Sequence, residues 1–169
     1  RCTHTATEFD EVYAEITYHS GTEDQWGFPP GITSGLATAA YAEIPLTHFE
    51  DASAVALVTG HERDAKEERG EFHLDYKALA AFPGTLVFYM GVKWAGQWSG
   101  ALMEHGMSPD TPVAVVQWCT RARQQTVKCT LGTVADVIGE KGIRPPSLFV
   151  VSHPSFWGLG WPTERTHFA

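Results

Sequence analysis

The chain has 169 residues, of which 43% are hydrophobic and 19% are charged, so it can build the core of one ordinary domain and is not a disordered tail. With a net charge of −8, the electrostatic field of the whole protein repels nucleic acid and anionic membranes, so we do not expect either as a partner. The sequence has three cysteines and no metal-ligand spacing among its histidines, so we expect neither disulfides nor a metal site. It has no apolar run long enough to span a bilayer, and its polar N-terminus shows no signal peptide, so we expect a cytoplasmic protein.

The first half of the chain predicts two strands and two helices. Residues 12–18 alternate in polarity as a short strand does, and 19–25 form a polar loop. A stiff Pro-Pro-Gly turn then leads to a helix that Thr33 or Ser34 caps and that Pro45 ends. The apolar run 54–59 predicts a strand, and the charged segment 62–73 predicts a loop. Asp75 caps a short helix that runs to Ala81.

The second half predicts four strands and two helices. The near-continuous apolar run 85–90 is typical of a strand buried on both faces. A helix follows from Ala95 and ends at Gly106, and strands are predicted at 112–117 and 124–131. Thr133 and Asp136 resemble a capping box for the last helix, which Gly142 ends before the strand at 147–151. This order predicts an α/β domain with a mixed sheet flanked by helices.

Ligands of such sheets bind at the carboxyl ends of strands and at helix N-termini. Three segments qualify: the helix start at 30–34, the strand end at 89–91 and the strand exit at 116–123. Each segment also has an interpretation without a ligand. Residues 30–34 can be only a tight turn with a helix cap, Met90 can be a core residue, and 116–123 can be a solvated turn. Likewise, His61 is either a base or a polar residue whose hydrogen bonds are made within the protein, and Cys119 is either a functional thiol or a buried one. The residues alone therefore establish only an α/β domain.

Six blocks of sequence, in order across about 26–151, resemble the uroporphyrinogen-III C-methyltransferases, which include the methylase module of siroheme synthase. The blocks are PGITSGLATAAYAEIPLTH (30–48), ALVTGHE (56–62), LDYKALAAFPGTLVFYMGV (74–92), HGMSPDTPVAVVQWCT (105–120), QQTVKCTLGTVADVI (124–138) and GIRPPSLFVV (142–151). The resemblance implies that 26–152 is the C-terminal domain of the tetrapyrrole methylase fold. Residues 1–25 and 153–169 match nothing in the family.

The resemblance also implies an activity and its partners. A homodimer would transfer two methyl groups from S-adenosylmethionine to ring carbons of uroporphyrinogen III, giving precorrin-2 for siroheme and cobalamin, without a metal. Matching motif positions imply cofactor contacts at Thr33, Ser34, Met90, Ala114 and Cys119, the last where the family usually has Gly. The substrate's carboxylates need cationic groups, for which His48, His61, Lys93, Arg121 and Arg123 are candidates.

The sequence departs from the family in its N-terminal motifs. Neither the Gly-Pro-Gly-Asp loop nor the Gly-Gly-Asp-Pro motif occurs in the chain, and the family's proton-transfer residues belong to that part, so no catalytic residue is assigned. We therefore expect the chain to be inactive alone. Two alternatives stay open: a non-catalytic module that dimerises or binds a ligand, and a methylase that acts on a later precorrin.

Overall fold

The structure, a computed structural model, describes residues 32–61 and 74–152. Helices and strands alternate through most of this part of the chain. Their order is α1 (Ser34–Ala42), β1 (Ala54–Thr59), α2 (Tyr76–Ala80), β2 (Gly84–Tyr89), α3 (Ala95–Glu104), β3 (Pro112–Gln117), β4 (Gln125–Thr130), α4 (Val134–Lys141) and β5 (Ser147–Val151). The predicted strand at 12–18, the turn before Ile32 and the loop at 62–73 lie outside the described residues, as do both unmatched ends.

The five strands form one mixed sheet in the order β1-β2-β5-β3-β4. Strand β1 is parallel to β2, whereas β5 is antiparallel to both β2 and β3, and β4 is antiparallel to β3. Consequently β1, β2 and β3 all point the same way, and the residues that follow them lie along one edge, which we call the carboxyl edge. The predicted mixed sheet flanked by helices is confirmed.

Three helices cover one face of the sheet and form the larger core. Trp98 of α3 is fully buried there, with its ring stacked on Phe88 at a centroid distance of 4.6 Å and tilted against Phe149 at 5.4 Å. Helices α2 and α4 add Tyr76 and Val134 to the same cluster. Burying a large apolar side chain stabilises a fold by about 1.5–3 kcal/mol, so this face supplies most of the apolar stabilisation.

Helix α1 and the segment after it cover the opposite face. Ala42, Ile44 and Leu46 pack on the alternate residues of the strands. The strand residues in this second cluster are Val87, Ala114, Val116 and Val150, with Val55, Tyr89 and Cys119 at its margin. Because strand β2 contributes to both clusters, the prediction that it is buried on both faces is confirmed.

Three local predictions differ from the structure. Strand β2 ends at Tyr89 because Met90 has a φ of 55°, which no strand residue adopts. Helix α1 ends before Pro45, because Glu43 takes a left-handed conformation and closes the helix with a hydrogen bond to the Ala39 carbonyl. The predicted capping box is wrong: Thr133 makes no side-chain cap, and its hydroxyl bonds to Thr130 instead.

Two glycines give a matched test of the parallel β1–β2 ladder. A Cβ on Gly84 would collide with the backbone oxygen of Ala54, its partner in β1, whereas a Cβ on Gly100 in α3 meets nothing within 4 Å. We predict that Gly84→Ala lowers the free energy of unfolding by about 1–3 kcal/mol. Gly100→Ala should raise it by about 0.5–1 kcal/mol, because alanine favours the helix. Urea denaturation measures both, and a Gly84→Ala protein as stable as the parent would contradict the packing.

Candidate functional site

Helix α1 begins at the carboxyl end of β2, and one phenol joins the two. Thr33 is the N-cap residue but makes no capping bond with its side chain. Its hydroxyl is instead hydrogen-bonded to the hydroxyl of Tyr89. The same Tyr89 oxygen accepts a hydrogen bond from the backbone N–H of Gly35 at 2.7 Å. The two predicted residues at this helix start, Thr33 and Ser34, therefore lie directly beside the tip of β2.

The amide and the hydroxyl of Ser34 lie at the start of α1. The amides of Leu36 and Ala37 both bond to the Thr33 carbonyl, and that of Gly35 bonds to Tyr89. Among the residues that the structure describes, the amide and the hydroxyl of Ser34 have no hydrogen-bond acceptor. Its amide and hydroxyl stand where the helix dipole is positive, so they favour a carboxylate or another electron-rich group of a ligand.

The turn after β2 holds Met90 in a strained conformation at this edge. Its φ of 55° costs a non-glycine residue about 1–3 kcal/mol and persists only where neighbours enforce it. On one side, the amide of Gly60 donates to the carbonyl of Tyr89 at 2.6 Å. On the other, the buried indole of Trp98 donates to the carbonyl of Gly91 at 3.0 Å. The Met90 position is thus fixed from both neighbouring residues.

The structure separates the two remaining cofactor candidates. Ala114 is the third residue of β3, not a strand tip, and it is fully buried in the row that contains Val87 and Val150. Unlike the other four predicted cofactor residues, Ala114 therefore does not lie at the carboxyl edge. Cys119 does follow β3 at the carboxyl edge, is partly buried, and packs against the same cluster as Tyr89. Contact of either residue with a cofactor stays a prediction.

The β3–β4 loop is hydrogen-bonded to α1 through the side chain of Gln124. Gln124 accepts a hydrogen bond from the Thr120 amide at 3.0 Å and donates to the Tyr41 carbonyl at 3.1 Å. Tyr41 lies near the end of α1, whereas Tyr89 binds the beginning. Nine helical residues span about 13 Å, close to the roughly 14 Å across the three strand spacings from β2 to β4. Helix α1 therefore crosses the sheet near its carboxyl edge, attached at both ends.

The predicted substrate cations near β3 share one aromatic ring. The guanidinium of Arg123 lies 3.5 Å from the ring centre of Trp118, and that of Arg121 lies 5.9 Å from it. Trp118 and Thr120 both have positive φ, at 53° and 68°. Both arginines are exposed, so the strained loop presents two positive charges to solvent at this edge.

His61 lies on the same edge, after β1. The indole N–H of Trp94 donates to its Nδ1 at 3.1 Å. Since Trp is a donor only, a neutral His61 carries its proton on Nε2, which makes that nitrogen a donor to an anion. Lys93 lies 4.6 Å from the ring centre of Trp94. His61 and Lys93 thus border the β1–β2 side of the edge, and the two arginines border the β3 side.

His48 is not brought together with these residues. It pairs with Ala52 in a turn that precedes the start of β1, and the next residue, Ser53, bonds to Pro83 just before β2. The turn therefore lies at the amino ends of these strands, about 20 Å along β1 from the carboxyl edge. The Nδ1 of His48 lies 3.4 Å from Asp51 and accepts from the Glu50 amide. The structure thus corrects the placement of His48 in one site with His61 and the arginines.

The two described cysteines differ in surroundings. Burial raises the pKa of the Cys129 thiol from 9.0 to about 11, because the thiolate would lose its solvation. Its Sγ lies 3.6 Å from the Val113 carbonyl across the β3–β4 ladder. Burial therefore disfavours the reactive thiolate form of Cys129, whereas Cys119 borders the candidate site.

Sequence reasoning missed the residues that hold the site in place: Tyr89, Trp94, Trp98, Trp118 and Gln124. Tyr89 lies in the apolar run of a predicted strand and Trp98 in the apolar pattern of a predicted helix, so the sequence predicts both as core residues. The sequence did contain one indication for Tyr89, because its hydroxyl stands at a strand end directly before Met90-Gly91. Nothing in the sequence indicates that Gln124 reaches back to α1, since its partner is 83 residues away.

Comparison with known proteins identifies relatives of this arrangement. The family model of Tetrapyrrole (Corrin/Porphyrin) Methylases matches residues 11–135. An S-adenosyl-L-methionine-dependent uroporphyrinogen III methyltransferase of Methanosarcina barkeri is 48% identical over 122 residues, 72% of this chain and 47% of that protein. A uroporphyrinogen-III C-methyltransferase of Priestia megaterium is 43% identical over 122 residues, 72% of this chain and 50% of that protein.

A solved structure shows the same fold. The uroporphyrin-III C-methyltransferase of Thermus thermophilus, complexed with S-adenosylhomocysteine, superposes with a TM-score of 0.66 and 28% identity. The alignment covers 85% of this chain and 57% of that one. The chain spans about half the length of the curated relatives that it matches. By sequence and by fold, the chain belongs to the tetrapyrrole methylase family, which confirms the resemblance carried by its six sequence blocks.

Proposed function

We propose that this chain is the tetrapyrrole-side half of a methyltransferase that moves methyl groups from S-adenosylmethionine to uroporphyrinogen III, with precorrin-2 as the product. The observation that carries the proposal is the carboxyl edge. There the start of α1, the Met90 turn and the Cys119 loop lie around one margin of the second core cluster. Relatives with names for this reaction share 43–48% of their aligned residues with the chain.

The donor set fits a zwitterionic methyl donor. Ser34 presents an amide and a hydroxyl that bond to no other described residue at the positive end of α1, which suits a carboxylate. Met90 and Cys119, which follow β2 and β3 at the same edge, add polarisable sulfur atoms.

The methyl donor brings its own leaving group, so the chain's residues act mainly by orientation. A new carbon–carbon bond forms at a pyrrole carbon, the carbon–sulfur bond breaks, and the sulfur keeps the electron pair. A proton then leaves the methylated ring carbon to a base or to water. Fixed alignment of two reactants is worth roughly 7–11 kcal/mol. The strained, doubly held Met90 turn and the two-ended attachment of α1 provide such rigidity.

The charges along the edge fit a polycarboxylate substrate. Arg121 and Arg123 lie on the β3 side, and Lys93 and the Nε2–H of His61 lie on the β1–β2 side. They are separated by roughly 14 Å of sheet, three strand spacings. On a protein of net charge −8, these local cations favour carboxylates at two ends of a large macrocycle.

The family's N-terminal motifs are absent from this sequence, so we propose that the chain alone is inactive and that a partner domain completes the cleft. We further propose a cytoplasmic homodimer. Support for an interface comes from large apolar side chains around α1 that are more than half exposed, namely Ile32, Leu36, Tyr41 and Leu57. Within the described residues, no helix has the length and apolar character to cross a bilayer.

Methyl transfer tests the proposal directly. We predict that a hybrid protein, in which the N-terminal half of the Methanosarcina barkeri relative precedes this chain, adds two methyl groups to uroporphyrinogen III under anaerobic conditions. The 169-residue chain alone should add none. Mass spectrometry of the tetrapyrrole measures the product. A hybrid that binds S-adenosylhomocysteine but methylates a later precorrin and not uroporphyrinogen III would contradict the proposed substrate.

Cysteine labelling locates the cofactor. We predict that saturating S-adenosylhomocysteine slows iodoacetamide labelling of Cys119 in the hybrid at pH 8. Cys129 is the internal control: with its pKa raised from 9.0 to about 11, its thiolate fraction at pH 8 is about 100-fold below that of an ordinary thiol. Peptide mapping separates the two sites. Unchanged labelling of Cys119 while calorimetry reports bound ligand would remove this loop from the cofactor site.

Substitution of Arg123 tests the substrate side. Arg123→Gln in the hybrid should raise the KM for uroporphyrinogen III by roughly 3- to 10-fold, because an exposed charge contact contributes about 1 kcal/mol. The affinity for S-adenosylhomocysteine should not change. Lys141→Gln, an exposed cation at the end of α4 on the other face, is the matched control. An equal increase of KM in both variants would mean that only net charge matters.

A further inference from the structure

We propose that Tyr89 is a positioning residue that orients the Thr33 hydroxyl as a hydrogen-bond donor to the methyl donor; this rests on the proposed function. The phenol lies between the end of β2 and the start of α1 and contacts both. It replaces the side-chain cap that Thr33 does not make. The start of α1 therefore depends on a residue of the sheet and not on its own N-cap.

The Gly35 contact leaves the proton of the phenol available to Thr33. The backbone N–H of Gly35 can only donate, so the Tyr89 oxygen accepts it at 2.7 Å. Either hydroxyl can donate in the bond between Tyr89 and Thr33, and the positioning role requires that the phenol donates to the Thr33 oxygen. The hydroxyl proton of Thr33 is then released to point away from Tyr89. Bonds in such a chain strengthen one another, so the phenol makes Thr33 a directed donor.

The Tyr89 phenol packs closely against the backbone of Gly35. A Cβ on Gly35 would lie 2.5 Å from the Tyr89 hydroxyl oxygen and 3.2 Å from Leu57 Cδ2. Gly35 itself is buried. A glycine at this helix position is explained by the close approach of the phenol, since α1 needs no unusual backbone angle there. Gly35→Ala should therefore displace the phenol while every atom of Tyr89 is kept.

A double-mutant cycle on the hybrid protein tests the positioning role. Tyr89→Phe and Thr33→Val should each raise the Kd for S-adenosylhomocysteine roughly 5- to 10-fold, the effect of one lost hydrogen bond. The double variant should bind S-adenosylhomocysteine with the same Kd as the single variant that binds it less tightly, because Tyr89 acts through Thr33. Gly35→Ala should resemble Tyr89→Phe. Gly100→Ala, in α3 on the opposite face where an added Cβ meets nothing within 4 Å, is the matched control and should leave the Kd unchanged.

Hydrogen exchange on the 169-residue chain separates this inference from the proposed function. In Tyr89→Phe the Gly35 amide should exchange roughly 10-fold faster or more, with no such change in Gly100→Ala. The positioning role would be overturned if the increase of the Kd in the double variant equalled the product of the increases in Tyr89→Phe and Thr33→Val. An unchanged exchange rate of the Gly35 amide would overturn it as well. If the unsubstituted hybrid binds no S-adenosylhomocysteine, the proposed function fails. The exchange rate of Gly35 then decides alone whether Tyr89 fixes the helix start.

Discussion

Helix α1 stays at the carboxyl edge because the Tyr89 hydroxyl, on the last residue of β2, bonds to Thr33 and Gly35 on its first turn. A helix of nine residues is marginal by itself, and α1 has no side-chain cap of its own. Its position is set by this contact at one end, by Gln124 at the other, and by apolar packing of Ala42 between the helix and the sheet. Every candidate cofactor contact on this face is placed relative to that helix.

The opposite face supports the same edge from below the sheet. Trp98, buried between Phe88 and Phe149, reaches the Gly91 carbonyl with its indole N–H. The Met90 turn is thus held by a residue of the main core, and the strain of its positive φ is offset by that packing. The site and the core are therefore coupled: loss of apolar packing around Trp98 would also release the turn that presents Met90.

The sequence predicts most of the fold, since periodicity and turn residues are local signals. The buried character of β2, the Asp75 cap and the mixed sheet are all confirmed. Failures occur where a tertiary contact decides. The predicted Thr133 cap is lost because its hydroxyl bonds to Thr130. The predicted strand residue Met90 is turned out of β2 because the carbonyls of its two neighbours, Tyr89 and Gly91, are bound by Gly60 and by Trp98.

The candidate site was predictable only in part for the same reason. Family motifs led to Thr33, Ser34, Met90 and Cys119, and the structure places all four along the carboxyl edge. They also led to Ala114, which is inside the sheet. Charge alone suggested His48, whose turn lies at the opposite end of β1. Side-chain charge says nothing about strand direction, so only the observed topology could separate His48 from His61.

A crystal structure of the hybrid protein with S-adenosylhomocysteine bound tests the central claim most directly. The account predicts that the ligand lies at the carboxyl edge, with hydrogen bonds from Ser34 and Thr33 and with Met90 and Cys119 in contact. A ligand bound on the face covered by α2, α3 and α4, or at the His48 turn, would contradict it.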